Sequence, residues 1–153
     1  MSAKRRFVTI LILAILLNVI ITRATIPSGS MKPTFLINDY VFYLNTDKVS
    51  VGDIILFKID HDPSFYTKRV VAIGPAIVEI KENQVIINHV ISENQWDTIH
   101  QGMTGIFEIP EGAYFLMGDN RSNSRDSRSF GYVLKENIKG RYLFHFPFGK
   151  IFE

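Results

Sequence analysis

Two hydroxyls flank one glycine in IPSGSMKPTF, residues 26–35. A serine is a weak nucleophile until a base within hydrogen-bond reach takes its proton. Ser28 and Ser30 therefore raise the question of a partner. The four histidines, His61, His89, His100 and His145, sit in no triad motif and form no paired-ligand spacing, so they read as scattered side chains. A lysine can serve instead if burial keeps its amine neutral. Lys68 has the best surroundings for this: in FYTKRVVAI a period of two sets Tyr66, Lys68, Val70 and Ala72 on one face. Phe65, Thr67, Arg69, Val71 and Ile73 take the other. Read alone, a lysine near a strand end usually reaches solvent.

A third cluster, MGDNRSNSRDSRSFG at 117–131, follows the apolar run AYFLM. Its arginines could suggest phosphate binding, but Asp119 and Asp126 dilute the charge. It reads as a structured polar network with internal pairs such as Asp126 with Arg128.

The elements that must hold these residues are short β-runs. DYVFYL (39–44), DIILFKI (53–59), SFYTKRVVAI (64–73), AIVEI (76–80), QVIINHVI (84–91), GIFEI (105–109) and AYFLM (113–117) all read as strands. Glu82-Asn83 suits a hairpin turn, and 92–104, which contains Trp96, a polar surface loop. One helical turn is expected around 134–138. The reading is a single, mostly β domain of coiled antiparallel sheets.

Ahead of it, residues 7–22 are FVTILILAILLNVIIT, 16 residues without a charge. As a helix they would span roughly 24 Å against about 30 Å of hydrocarbon, a deficit that snorkelling arginines or local thinning covers. Lys4, Arg5 and Arg6 precede the run and Arg23 follows it, which puts residues 1–6 in the cytoplasm, a transmembrane helix at 7–22, and 24–153 on the far side. A cleavable leader is the rival reading, with Thr22-Arg23-Ala24 a poor cleavage site. Those four cations leave 13 Lys and Arg against 15 Asp and Glu in residues 24–153, a net of −2, although the whole chain carries +2. That balance argues against a nucleic-acid binder. The absence of cysteine excludes disulfides and thiolate metal sites.

Taken in order, PSGSMKPTF, VGDIILF (51–57), TKRVVAIG (67–74) and MGDNRSNSRDSRSFG behind an apolar N-terminal segment resemble the type I signal peptidases, membrane-anchored serine proteases with a Ser–Lys dyad. The match covers essentially the whole chain. The resemblance implies the coiled antiparallel sheets of that fold behind one transmembrane helix. It implies Ser30 as nucleophile and Lys68 as general base, with the Ser28 hydroxyl joining the Ser30 N–H in the oxyanion hole. Ser124 would orient the Lys68 amine, and Asp126 with Arg128 would form a structural ion pair. Ile26, Pro27, Met31, Tyr66 and Thr67 would line pockets for small side chains, and Gly118, Asp119 and Asn120 would shape the site.

The implied activity is removal of signal peptides from exported preproteins at the cell membrane, by a monomer that uses no cofactor or metal and contacts the lipid bilayer. Two alternatives stay open: a maturation peptidase dedicated to one exported substrate, as in conjugation, and a non-catalytic membrane-anchored β-domain that binds peptides. The sequence departs from the family pattern after the lysine box, where Ile73-Gly74-Pro75-Ala76 replaces the usual Gly-x-Pro-Gly-Asp.

Overall fold

A computed structural model describes residues 3–81, 84–92 and 104–151. The hairpin turn expected at Glu82-Asn83, and most of the loop around Trp96, lie outside the described residues. The N-terminal helix α1 covers Ala3–Ile20, and strand β1 follows at once over Ile21–Thr25. A single 3₁₀ turn, Gly29–Met31, leads on to β2 (Tyr40–Leu44). Then come β3 (Ile54–Ile59), β4 (Asp62–Ile73), β5 (Ala76–Lys81), β6 (Gln84–Ile87) and β7 (Val90–Ile91). The chain continues through β8 (Gly105–Ile109), β9 (Ala113–Met117), the short helix α2 (Ser127–Phe130), β10 (Val133–Leu134) and β11 (Ile138–Phe146).

Among the described residues all strand pairings are antiparallel. One seven-stranded sheet runs β1-β2-β11-β3-β4-β9-β10, and a four-stranded sheet runs β7-β6-β5-β8. The long β4 ties the large sheet together: residues 62–69 pair with β3, and 69–73 pair with β9 across a bulge between Val70 and Ala72. Its apolar half is buried between the sheets, where Val71 and Ala72 meet Val78, Ile80, Val85, Ile109 and Phe115. Under the Ser28–Ser30 segment lies a second core of Ile26, Met31, Phe35, Val41, Tyr43, Ile54 and Leu56. That core forms the floor beneath the 3₁₀ turn.

The N-terminal element differs from the expected span at 7–22. The helix stops at Ile20, because Ile21 and Thr22 turn into the sheet opposite Leu44 and Tyr43. Asn45 closes its end, with its backbone N–H donating to Ile20 O at 2.7 Å and its side-chain amide to Val19 O at 2.7 Å. These are two of the carbonyls that a helix C-terminus otherwise leaves without partners. The first turns of α1 hold Lys4, Arg5 and Arg6, so its uncharged part is Phe7–Ile20, about 21 Å at about 1.5 Å per residue. Among the described residues no helix is long and apolar enough to cross a membrane.

Candidate active site

The 3₁₀ turn lifts Ser30 out of the loop after β1 while burying the next side chain, Met31, in the core below. Ser28, in extended conformation just before the turn, brings its Oγ to 3.3 Å from Ser30 Oγ. From the facing strand β4, opposite Ile55 of β3, Lys68 extends to Ser30: Nζ and Oγ are 2.7 Å apart. The amine also donates to the carbonyl of Thr67 at 3.0 Å.

Lys68 is only 4% exposed. Burial disfavours the ammonium and brings its pKa down from 10.5 to about 8, against the opposing pull of Asp126 and Asp119. An amine of that basicity is neutral in about one molecule in ten at pH 7, where a solvated lysine would be neutral in fewer than about one in a thousand. The pair can therefore exchange the Ser30 proton near neutral pH.

Ser30 and Lys68 stand at the edge of a cavity of about 260 Å³. Its lining includes all five residues expected to hold substrate, Ile26, Pro27, Met31, Tyr66 and Thr67. Ser28 also lines it, and no described histidine does. Leu56, Ala24 and Phe65 add to walls that are mostly apolar, with Thr25 and Ser64 also on the lining. Thr67 is fixed from behind, its hydroxyl 2.7 Å from the phenol of the fully buried Tyr43.

The loop after β9 buttresses both halves of the pair. Asp126 is fully buried and takes a two-pronged contact from Arg128, with Nε to Oδ1 and a terminal nitrogen to Oδ2 at 2.8 Å each. Its Oδ2 also accepts from Gly118 N at 3.0 Å. Asp126 further caps α2, accepting from Arg128 N. The Ser124 hydroxyl is buried against Gly118 but has no hydrogen-bond partner among the described residues. The bond from Ser124 to the Lys68 amine that the family resemblance implies is thus not formed: Lys68 is satisfied by Ser30 and Thr67 instead.

Two contacts were not anticipated from the sequence. Arg69, the neighbour of Lys68, points to the opposite face of β4 and grips Asp119 with Nε at 2.8 Å and a terminal nitrogen at 2.6 Å. It also donates to Gly52 O at 2.7 Å. Thr34, just past the serine turn, donates to Asp119 Oδ2 at 2.5 Å. The alternation along β4 was the available signal, because it put Arg69 opposite Lys68. The acid it would meet, 50 residues away, was not legible. Asn120 is the second: its side-chain amide donates to Gly29 O and its N–H to Ser30 O, both at 3.0 Å.

The chain matches the family model described as signal peptidase, peptidase S26, over residues 2–147. It is 32% identical to the signal peptidase I of Bacillus licheniformis, over 92% of this chain and 85% of that protein. With the signal peptidase I of Aquifex aeolicus it shares 26% identity, over 95% of this chain and 83% of that one. The crystal structure of a signal peptidase I from Enterococcus faecalis superposes with a TM-score of 0.55 at 26% identity, covering 63% of this chain and 97% of that one.

Proposed function

The chain belongs to the signal peptidase family, peptidase S26, and from that premise we propose a reaction in which Ser30 attacks the scissile carbonyl while Lys68 moves its proton. The protein is a serine endopeptidase that removes signal peptides from exported preproteins. The observation that carries the residue assignment is the 2.7 Å approach of a buried amine to the Ser30 hydroxyl at the edge of an apolar cavity.

In the acylation step, neutral Lys68 takes the Oγ proton as Ser30 Oγ bonds to the carbonyl carbon. The tetrahedral oxyanion is held by the Ser30 N–H and the Ser28 hydroxyl, which need to be poised before charge develops. The Lys68 ammonium then protonates the departing amine, the new N-terminus of the mature protein. Lys68, neutral again, takes a proton from water as that water attacks the acyl-enzyme carbonyl. The tetrahedral intermediate then breaks its bond to Ser30 Oγ, which takes the proton back from Lys68, and the signal peptide leaves as a carboxylate, its acid proton passing to solvent. The Asp126–Arg128 pair holds the loop that carries Gly118 and Ser124 beside the serine turn. A cavity of about 260 Å³ bounded by Ile26, Met31, Tyr66 and Thr67 favours small side chains next to the cut.

The enzyme works at the cell membrane. Phe7, Val8, Ile10, Leu11, Ile12, Val19 and Ile20 all expose apolar surface on α1, which has no polar face to lay on a protein. With Lys4, Arg5 and Arg6 at the cytoplasmic face, residues 24–153 stand outside. The short apolar length is met by thinning of the bilayer and by snorkelling of the flanking cations.

Incubating the purified full-length protein with a labelled preprotein tests the assignment. Wild type should release the mature protein and Ser30→Ala should not. Equal cleavage by the two would reject Ser30 as nucleophile.

A further inference from the structure

Asn120 makes contacts that the reaction above does not use. Its Nδ2 donates to Gly29 O at 3.0 Å, and its own N–H donates to Ser30 O at 3.0 Å. One residue of the loop after β9 thus holds the carbonyls of both peptide units that flank the Ser30 Cα. The carboxamide is itself oriented, because Ser122 Oγ donates to its Oδ1 at 3.1 Å and so turns Nδ2 toward Gly29. Its neighbours are equally fixed: Asp119 by Arg69 and Thr34, and Gly118 by Asp126.

The Gly29–Ser30 peptide bond is trans and planar, so its C=O and N–H point in opposite directions. Whatever grips Gly29 O from one side decides where the Ser30 N–H points on the other. Gly29 O also accepts from Lys32 N at 3.2 Å, within the 3₁₀ turn. Two donors on that oxygen both fix the plane and polarise the amide, which makes its N–H the stronger donor. On the reading that Ser30 is the nucleophile, that N–H is one of the two oxyanion donors.

We propose that Asn120 is the positioning residue of the oxyanion hole, holding the Gly29–Ser30 peptide from behind so that the Ser30 N–H faces the developing negative charge. Ser28 supplies its hydroxyl directly to that charge, whereas Asn120 never touches substrate. The two act on one site from opposite sides, so their losses do not add.

The test compares Asn120→Ala and Asn120→Asp with wild type, using kcat and KM on a peptide substrate and the affinity for a peptide boronate that forms a tetrahedral adduct on Ser30. The aspartate keeps the shape but presents an acceptor to Gly29 O. Both variants should keep the wild-type melting temperature within a few degrees and lose kcat by about 10–100-fold, with KM nearly unchanged. Boronate affinity should fall by a similar factor. The acidic limb of the pH profile should not move, because Lys68 is untouched. Combining Asn120→Ala with Ser28→Ala should cost less than the product of the single losses. Ser122→Ala, which only frees the carboxamide, should lower kcat by a few-fold. A kcat within threefold of wild type in both variants would overturn the proposal. So would a loss confined to KM, a fall in kcat with boronate affinity intact, or failure of both variants to fold, which would make Asn120 a folding determinant. Failure of the nucleophile assignment looks different: Ser30→Ala would then cleave like wild type, and the proposal would fall with it.

Discussion

Gly118 lies directly against the Ser30 carbonyl, with no room between them for one more carbon. A Cβ on Gly118 would stand 2.5 Å from that oxygen and 2.6 Å from Ser124 Cβ. Both obstacles lie beside the Ser30–Lys68 pair, one being backbone and the other a half-buried side chain. Gly118→Ala must therefore push the serine turn away from the loop that braces it. We expect about 1–3 kcal/mol of lost stability and a fall in kcat larger than the change in KM, read by thermal melting and steady-state kinetics. A variant with wild-type melting and kcat would show that the contact is soft.

In the proposed reaction the Ser28 hydroxyl donates to the oxyanion. Ser28→Ala should lower kcat by roughly 10²–10³-fold and leave KM nearly unchanged. Ser28→Thr keeps a hydroxyl and should lose less. An alanine variant with unchanged kcat would remove Ser28 from the mechanism.

Asp119 acts on Lys68, the proposed base, through charge. Its carboxylate raises the Lys68 pKa, opposing the larger effect of burial. Removing the charge with Asp119→Asn should therefore move the acidic limb of kcat/KM to lower pH. The same change breaks the fork with Arg69, at a cost of about 2–3 kcal/mol. Urea unfolding would read the stability and a pH profile the shift. A limb that moved upward would contradict the sign.

Much of this was legible in the sequence because the strands are short, apolar and punctuated by turns. GIFEI and AYFLM coincide with β8 and β9, and DIILFKI differs from β3 by one residue. QVIINHVI splits into β6 and β7 because Asn88 and His89 both adopt positive φ, a turn hidden inside an apolar run. The expected helical turn near 134–138 is the 3₁₀ turn Lys135–Asn137. The nine-residue β11 was not foreseen, although it sits between β2 and β3 in the interior of the large sheet. Its residues IKGRYLFHF carry a glycine and three charges or imidazoles that blur the alternation. β1 was hidden for the opposite reason: Ile21-Thr22 continues the apolar run, and only pairing with β2 ends the helix. At the site, motif and spacing named Ser30 and Lys68. The grips of Arg69 on Asp119 and of Asn120 on Gly29 span 50 and 91 residues and depend on tertiary placement.

The topology predicts that protease added to intact spheroplasts digests residues 24–153. That orientation is the one proposed above from the cations ahead of the exposed apolar side chains of α1. Full protection until lysis would reverse it.

The central claim, a neutral buried lysine as the base for Ser30, is met most directly by the pH dependence of kcat/KM for the full-length enzyme. A base works only when unprotonated, so activity must rise with pH through the Lys68 pKa and level off above it. With that pKa at about 8, the profile should fall tenfold per pH unit below about pH 8. Lys68→Arg, whose guanidinium keeps its proton, and Lys68→Ala should show no activity at any pH. A Lys68→Ala enzyme that cleaves with the same acidic limb as wild type would contradict the account.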